Sequence, residues 1–123
     1  MDQKVCLDTD VCVEILKNTE KGKIKQKEIE NYETFITTIS IFELFLREKN
    51  FYPVERLLSD VNVLDFTEIG ARKSSEILKN LKNKDKITDM RDLFIAATCI
   101  VNNCKLATFN KKHFEHIDGL ELI

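Results

Sequence analysis

Apolar residues along the chain alternate between short extended runs and longer stretches with helical spacing. Lys4-Val5-Cys6-Leu7 is a brief extended run. Asp8-Thr9-Asp10 stops it and offers an N-cap to the apolar-rich segment Val11 to Leu16, which predicts a strand feeding directly into a helix. Lys17 to Tyr32 is polar and carries Lys21, Lys23, Lys25 and Lys27; it reads as a loop or exposed helix with Ile24 and Ile29 facing inward. Phe35-Ile36-Thr37-Thr38 has β-branched strand character. Ser40 with Glu43 three residues later reads as a capping box before Ile41, Phe42, Leu44, Phe45 and Leu46.

The second half repeats the alternation. Pro53 marks a break or the first turn of a helix through Val54, Leu57 and Leu58, and Val61-Asn62-Val63-Leu64 reads as a third strand. Thr67 can cap a helix running to about Lys82, with Ile69, Ile77, Leu78 and Leu81 on one face. Thr88 or Asp89 caps the next helix, where Leu93 to Ala97 and Cys99 to Val101 are apolar nearly all round, as in a helix buried on most sides. Asn102-Asn103 ends it. Lys105-Leu106-Ala107-Thr108 follows as a fourth strand, Lys111 to Glu115 as a short helix, and Leu120 to Ile123 as a terminal strand. Strands alternating with helices predict an α/β protein with a parallel sheet, helices on both faces and right-handed crossovers. No internal repeat or linker interrupts the pattern, so residues 1–123 read as a single domain.

Composition narrows the classes. With 123 residues, 43% apolar, 3 Gly and 1 Pro, the chain is neither collagen-like nor disordered, and burying about two-thirds of its unfolded surface is the expectation for this size. No apolar run approaches the ~20 residues of a membrane span, and Met1-Asp2-Gln3-Lys4 leads into a strand and not into a signal-peptide core, which places the protein in the cytoplasm with no membrane partner. Charged residues make up 33% and Gln is confined to Gln3 and Gln26, a composition compatible with a thermophile. Lys+Arg 19 against Asp+Glu 21 leaves a net charge of -2, so any nucleic-acid contact must be local. Cys6, Cys12, Cys99 and Cys104 lack CxxC spacing and read as small buried thiols.

In parallel sheets ligands collect beyond the carboxyl ends of the strands. The polar residues there are Asp8, Thr9 and Asp10 after strand one, Thr38, Ser40 and Glu43 after strand two, and Thr108 and Asn110 after strand four. Asp92 stands out because the helix it opens is otherwise almost wholly apolar. Each acid alone has an ordinary account as a cap or a complement to a helix dipole. Together they could converge on one cleft, where carboxylates with few basic partners repel unless cations hold them, and Mg²⁺ or Mn²⁺ suits all-oxygen donors. The two histidines, His113 and His116, leave Ser-His-Asp and Cys-His arrangements without partners, match no standard zinc spacing, and no GxGxxG or Walker loop exists.

Val5-Cys6-Leu7-Asp8-Thr9-Asp10-Val11 resembles the DxD opening of haloacid-dehalogenase-type phosphatases, in which Asp8 would be the nucleophile. The whole chain resembles the PIN-domain ribonucleases, particularly the VapC-type toxins of prokaryotic toxin-antitoxin pairs. The matching pieces are Leu7-Asp8-Thr9-Asp10-Val11, Thr38-Ile39-Ser40-Ile41-Phe42-Glu43-Leu44, Asp92-Leu93-Phe94-Ile95-Ala96-Ala97-Thr98, and Leu106 to Phe114 followed by Ile117-Asp118-Gly119-Leu120. This resemblance implies a PIN-like three-layer α/β/α sandwich with a central, mostly parallel sheet of four or five strands. It implies RNA hydrolysis with Mg²⁺ or Mn²⁺ held by Asp8, Glu43 and Asp92, and Asn110 at the family's fourth, often acidic, position. Thr9, Asp10, Asp89 and Thr108 would support the site or orient substrate, while Lys17, Arg47, Arg91 and Lys111 would contact the RNA backbone. A homodimer and a cognate antitoxin protein are the implied partners. Asn110 leaves open a catalytically silent PIN-like module that only binds RNA or protein.

Overall fold

The computed structural model describes residues 3–123; Met1 and Asp2, the start of the segment read as leading into the first strand, lie outside the described residues. Four strands, β1 (Lys4–Leu7), β2 (Glu33–Thr37), β3 (Asn62–Leu64) and β4 (Lys105–Ala107), form one all-parallel sheet in the order β3-β2-β1-β4. Six α-helices follow the strands in chain order: α1 (Thr9–Leu16), α2 (Glu20–Glu28), α3 (Thr38–Arg47), α4 (Phe51–Asp60), α5 (Glu68–Asn83) and α6 (Met90–Val101).

The two-residue period of the strands sets the layers. Val5, Leu7, Ile36 and Ala107 face a core completed by Val11, Cys12 and Val13 of α1, Ile29 beyond α2, Leu44 of α3 and Val54 of α4. Cys6, Phe35 and Leu106 point the other way, onto Ile77 and Leu81 of α5 and onto Leu93, Ile95, Ala96 and Cys99 of α6. A sheet buried on both faces needs apolar residues at consecutive positions, which is what Val5-Cys6-Leu7 and Phe35-Ile36 provide. All four cysteines are free and buried, as expected of them.

Each helix starts on a side chain that accepts from its first turn: Asp8 for α1, Thr19 for α2, Thr37 for α3, Asn50 for α4, Thr67 for α5 and Asp89 for α6. Three sequence expectations change here. The cap of α3 is Thr37, whose hydroxyl accepts from the Ser40 N–H at 3.1 Å, so Ser40 and Glu43 form no capping box and both side chains are released for other contacts. Ile24 and Ile69 are exposed, at 54% and 66%, because they fall on the outer faces of α2 and α5. The polar segment before β2 is helical, and Lys25 within it is buried: its ammonium meets Glu28 at 3.0 Å and the Ile123 carbonyl at 3.2 Å, and lies over the Phe109 ring.

At the carboxyl end of the chain, Lys111–His113 forms one turn of 3-10 helix where a short α-helix was expected. The expected terminal strand reduces to one parallel bridge between Leu106 and Leu122. Backbone bonds from Leu106 N–H to Glu121 O and from Ile123 N–H to Leu106 O still cover the β4 edge.

The α1–α2 packing generates a stability prediction. A Cβ on Gly22 would stand 2.5 Å from the Glu14 carbonyl oxygen, whereas one on Gly70 would meet nothing closer than 3.5 Å. Gly22→Ala is therefore expected to lose about 1–3 kcal/mol in chemical denaturation. Gly70→Ala, at an ordinary helical position, is expected to be neutral or to gain up to about 1 kcal/mol.

Candidate active site

Asp8 occupies the junction between β1 and α1. Its backbone N–H continues the sheet by donating to the Ala107 carbonyl at 3.0 Å, which places its side chain between the ends of β1 and β4. Both carboxylate oxygens are held: Oδ1 accepts from the Thr9 N–H at 2.9 Å, and Oδ2 from the Thr108 hydroxyl at 2.8 Å. Thr108 in turn accepts from the Asn110 N–H at 3.0 Å, so the turn after β4 is fastened to the same carboxylate.

Thr9 carries the network to α3. Its hydroxyl lies 2.9 Å from Glu43 Oε1 and 2.9 Å from Ser40 Oγ. An ionised Glu43 can only accept, so Thr9 donates to it and is left to accept from Ser40. The other Glu43 oxygen faces the Arg91 guanidinium at 3.6 Å, and Arg91 also reaches Asp89 at 3.8 Å. Asp89 holds the start of α6 by accepting from the Arg91 N–H at 2.8 Å, and Asp92 follows on the first turn with its Oδ2 3.7 Å from His113 Nδ1. Asp10 is bridged between Arg47 at 3.2 Å and the Asn110 side-chain amide at 3.2 Å.

These residues enclose one cleft of about 250 Å³, lined by Asp8, Thr9, Asp10, Glu43, Asp92 and Asn110 among others, with Arg47, Arg91 and His113 at its sides. A larger hollow of about 650 Å³ among α1, α2 and α4 contains none of these acids and is lined in part by Ile15, Leu16, Ile29 and Leu57. The sequence-predicted set Asp8, Glu43, Asp92 and Asn110 is thus brought together from four separate chain segments, along with Thr9, Asp10, Asp89 and Thr108. Arg47 and Arg91 stand at the cleft. Lys17 does not, since it caps the far end of α1 about 12 Å of helix from Asp8, and Lys111 lies outside the lining. Ser40, one of the polar residues expected at the strand ends, joins the network through the Thr9 hydroxyl. His113, weighed in the sequence only as a zinc ligand, is the site residue that was missed, although it follows Asn110 by three residues in the strand-end segment.

Burial and mutual repulsion shape the electrostatics. Asp8 titrates above the ordinary carboxylate range because burial disfavours its charge, an effect that the Thr108 and Thr9 hydrogen bonds reduce and Asp10 and Glu43 reinforce. Asp92 is raised to about 6, first by burial and then by Asp8 and Asp89, with His113 pulling the other way. A divalent cation would relieve this repulsion, and the all-oxygen donor set suits Mg²⁺ or Mn²⁺. As the side chains stand, no three His, Cys, Asp or Glu among the described residues are close enough to enclose an ion. The donor chemistry fits, and Glu43 in its present rotamer is turned toward Arg91.

A three-layer parallel sandwich with carboxylates gathered beyond its strand ends defines a class of fold, and the chain belongs to the PIN domain family, whose model matches residues 5–120. Among its relatives, ribonuclease VapC of Rickettsia bellii is 31% identical over 95% of this chain and 92% of its own length. The tRNA(fMet)-specific endonuclease VapC of Shigella flexneri is 23% identical over 95% and 94%. A crystal structure of VapBC2 from Rickettsia felis bound to a DNA fragment from its promoter superposes with a TM-score of 0.87 at 25% identity, covering 98% of both chains. DNA-bound VapBC from Salmonella typhimurium gives 0.83 at 26% identity over 98% and 97%.

The raised Asp92 predicts the sign of a pH dependence. A carboxylate that holds its proton more tightly folded than unfolded stabilises the fold at low pH and loses that contribution as pH rises from about 4 through about 6. In EDTA, Asp92→Asn should therefore melt above the parent at pH 7.5 and converge with it near pH 4. Discounted for the partial exposure of the side chain, the difference is roughly 1 kcal/mol, or about 3–6 °C in a thermal scan.

Proposed function

We propose that the protein is a metal-dependent endoribonuclease acting on RNA phosphodiester bonds, and that it serves as the toxin of a toxin-antitoxin pair. The observation that carries this reading is the convergence of Asp8, Glu43 and Asp92, from β1, α3 and α6, on one cleft in a chain of the PIN family. Its VapC relatives are named as ribonucleases, and its structural neighbours are toxin-antitoxin complexes.

Asp8, Glu43 and Asp92 would hold Mg²⁺ or Mn²⁺, which when bound supplies Lewis acidity toward the scissile phosphate and the attacking water. The chain's own groups prepare that site. Thr108 and the Thr9 N–H keep Asp8 in one orientation, and the Thr9 hydroxyl holds one Glu43 oxygen while the other faces Arg91. Arg47 and Arg91, half-exposed at the rim, offer guanidinium forks to phosphate oxygens and offset the acidic lining. Asn110 turns its amide N–H toward Asp10, so at the position where a further acid would add repulsion the chain places a donor. The proposed assembly is a homodimer of single-domain protomers working in the cytoplasm, silenced by an antitoxin protein. The phosphatase reading is set aside because the family model that matches residues 5–120 is that of the PIN domain.

Purified protein is expected to cleave single-stranded RNA in Mn²⁺ or Mg²⁺ and to stop on addition of EDTA. Asp8→Asn and Asp92→Asn should each lower the rate at least ~100-fold with circular dichroism unchanged. Cleavage persisting in Asp8→Asn would overturn the carboxylate mechanism. Tight RNA binding by the parent without cleavage in either metal would assign it instead to the silent binding module that Asn110 left open. For the toxin role, expression should arrest growth of the host cell, and co-expression of the product of a short adjacent reading frame should restore it.

A further inference from the structure

Beside the carboxylate cleft lies a second hollow of about 320 Å³, lined by Ile87, Thr88, Asp89, Asp92, Lys112 and His113. Asp89, Asp92 and His113 line both, so the two hollows adjoin at the start of α6. Three features of the extension have no use in the cleft chemistry. Ile87 is 98% exposed, a large apolar side chain with nothing packed on it. The Thr88 hydroxyl is buried and is the one buried side-chain polar atom among the described residues without a hydrogen-bond partner. Lys112 forms no ion pair among the described residues, although acids line the same hollow.

We propose that this hollow is a nucleotide subsite, which seats the RNA residue next to the scissile phosphate. The inference rests on the ribonuclease reading and adds the position and residues of substrate recognition. The three unused features match three parts of a nucleotide. Ile87 presents an apolar surface to the face of a base. Lys112 supplies a cation for the adjoining phosphate. The Thr88 hydroxyl, able both to donate and to accept but closed off in the free protein, pairs with a 2′-hydroxyl or a base edge once its side chain turns toward the hollow, and so gains on binding the partner it lacks. The volume lies at the lower end of the ~300–1,000 Å³ of small-ligand sites and accommodates one residue of a strand, not a duplex. Asp89 and Asp92 would repel a phosphate placed deep in the hollow, so the backbone runs along the Lys112 rim with the base turned inward.

The test measures binding and catalysis separately. Affinity is read by fluorescence anisotropy of a labelled, random-sequence 12-nucleotide RNA in EDTA, alongside the DNA of the same design. Cleavage of the RNA is followed in Mn²⁺. Ile87→Ala, Thr88→Val and Lys112→Ala are each expected to weaken RNA binding on the order of 5-fold and to raise KM in step, with kcat within about twofold of the parent. Thr88→Val supplies the readout that a structural role would not give: removing a buried, unpartnered hydroxyl should raise the melting temperature while RNA affinity falls. Its effect should also be smaller on DNA if the hydroxyl reads the 2′ position. Unchanged RNA affinity and KM in all three variants, with Asp8→Asn inactive, would overturn the subsite and leave the ribonuclease reading intact. Weakened RNA binding in the variants of a parent that never cleaves would keep the subsite and remove the nuclease. A Thr88→Val protein that melts lower than the parent would assign Thr88 to the fold and remove it from the subsite.

Discussion

The structure turns on one buried carboxylate. Asp8 follows β1, caps α1 and receives the Thr108 hydroxyl from beyond β4, so a single side chain ties together two neighbouring strands and the first helix. A carboxylate 6% exposed is tolerable only with its oxygens satisfied, and here two hydrogen bonds replace the lost water. They lower the cost of burial without removing it, which is why Asp8 still titrates above the ordinary range. The residue is fixed in place and left electrostatically unsatisfied, the state suited to a ligand that must bind a cation in an unvarying position.

The rest of the cleft follows from that constraint. Glu43 is aimed by Thr9, the neighbour that also donates its N–H to Asp8, so two of the acids are oriented through adjacent groups on one turn of chain. Asp92 approaches from the opposite core layer on α6, a helix whose burial against the sheet leaves it little freedom to move away. Packing therefore holds together charges that would separate if free. The fold spends part of its stability on this, and the small apolar residues of α6, Ala96 and Ala97 with no exposed surface, allow that helix to pack closely while Asp92 stays near enough for Asp8 to raise its pKa.

How much of this was legible in the sequence depends on the kind of interaction. Strands β1, β2 and β4 and the caps Asp8, Thr67 and Asp89 could be read because each is a local pattern with a local cause. Asp8 and Glu43 were legible from their position relative to strand ends, a rule that topology enforces over long separations, and Asp92 as the acid that opens an otherwise apolar helix. What escaped was decided by side-chain direction. Ser40 and Glu43 have the spacing of a capping box, yet Thr37 takes the cap and both turn to Thr9, a partner more than thirty residues away. Lys25 sits in a run of lysines that reads as solvated, and only its contacts with the last residues of the chain and with Phe109 explain its burial. Periodicity assigns a face; it does not say which distant group meets it.

Charge balance shows the same division between global and local. The sum of -2 over 123 residues speaks against a nucleic-acid enzyme only if charge is spread evenly. In the folded chain it is not: Asp8, Asp10, Glu43, Asp89 and Asp92 surround one cleft, while Arg47, Arg91 and His113 stand at its sides. Each arginine pairs with its own acids, Arg47 with Asp10 and Arg91 with Glu43 and Asp89. The border is itself mixed, since Arg47 and Arg91 are about as exposed, at 44% and 49%, as their partners Asp10 and Asp89, at 46% and 56%, while Glu43 and Asp92 lie deeper, at 14% and 24%. Asn110 extends that logic, because an amide that donates to Asp10 lowers the number of acids competing for charge compensation without loosening the turn that Thr108 fastens to Asp8. The near-neutral total therefore says nothing of the local arrangement, in which two ion-paired arginines border a cleft lined by five carboxylates.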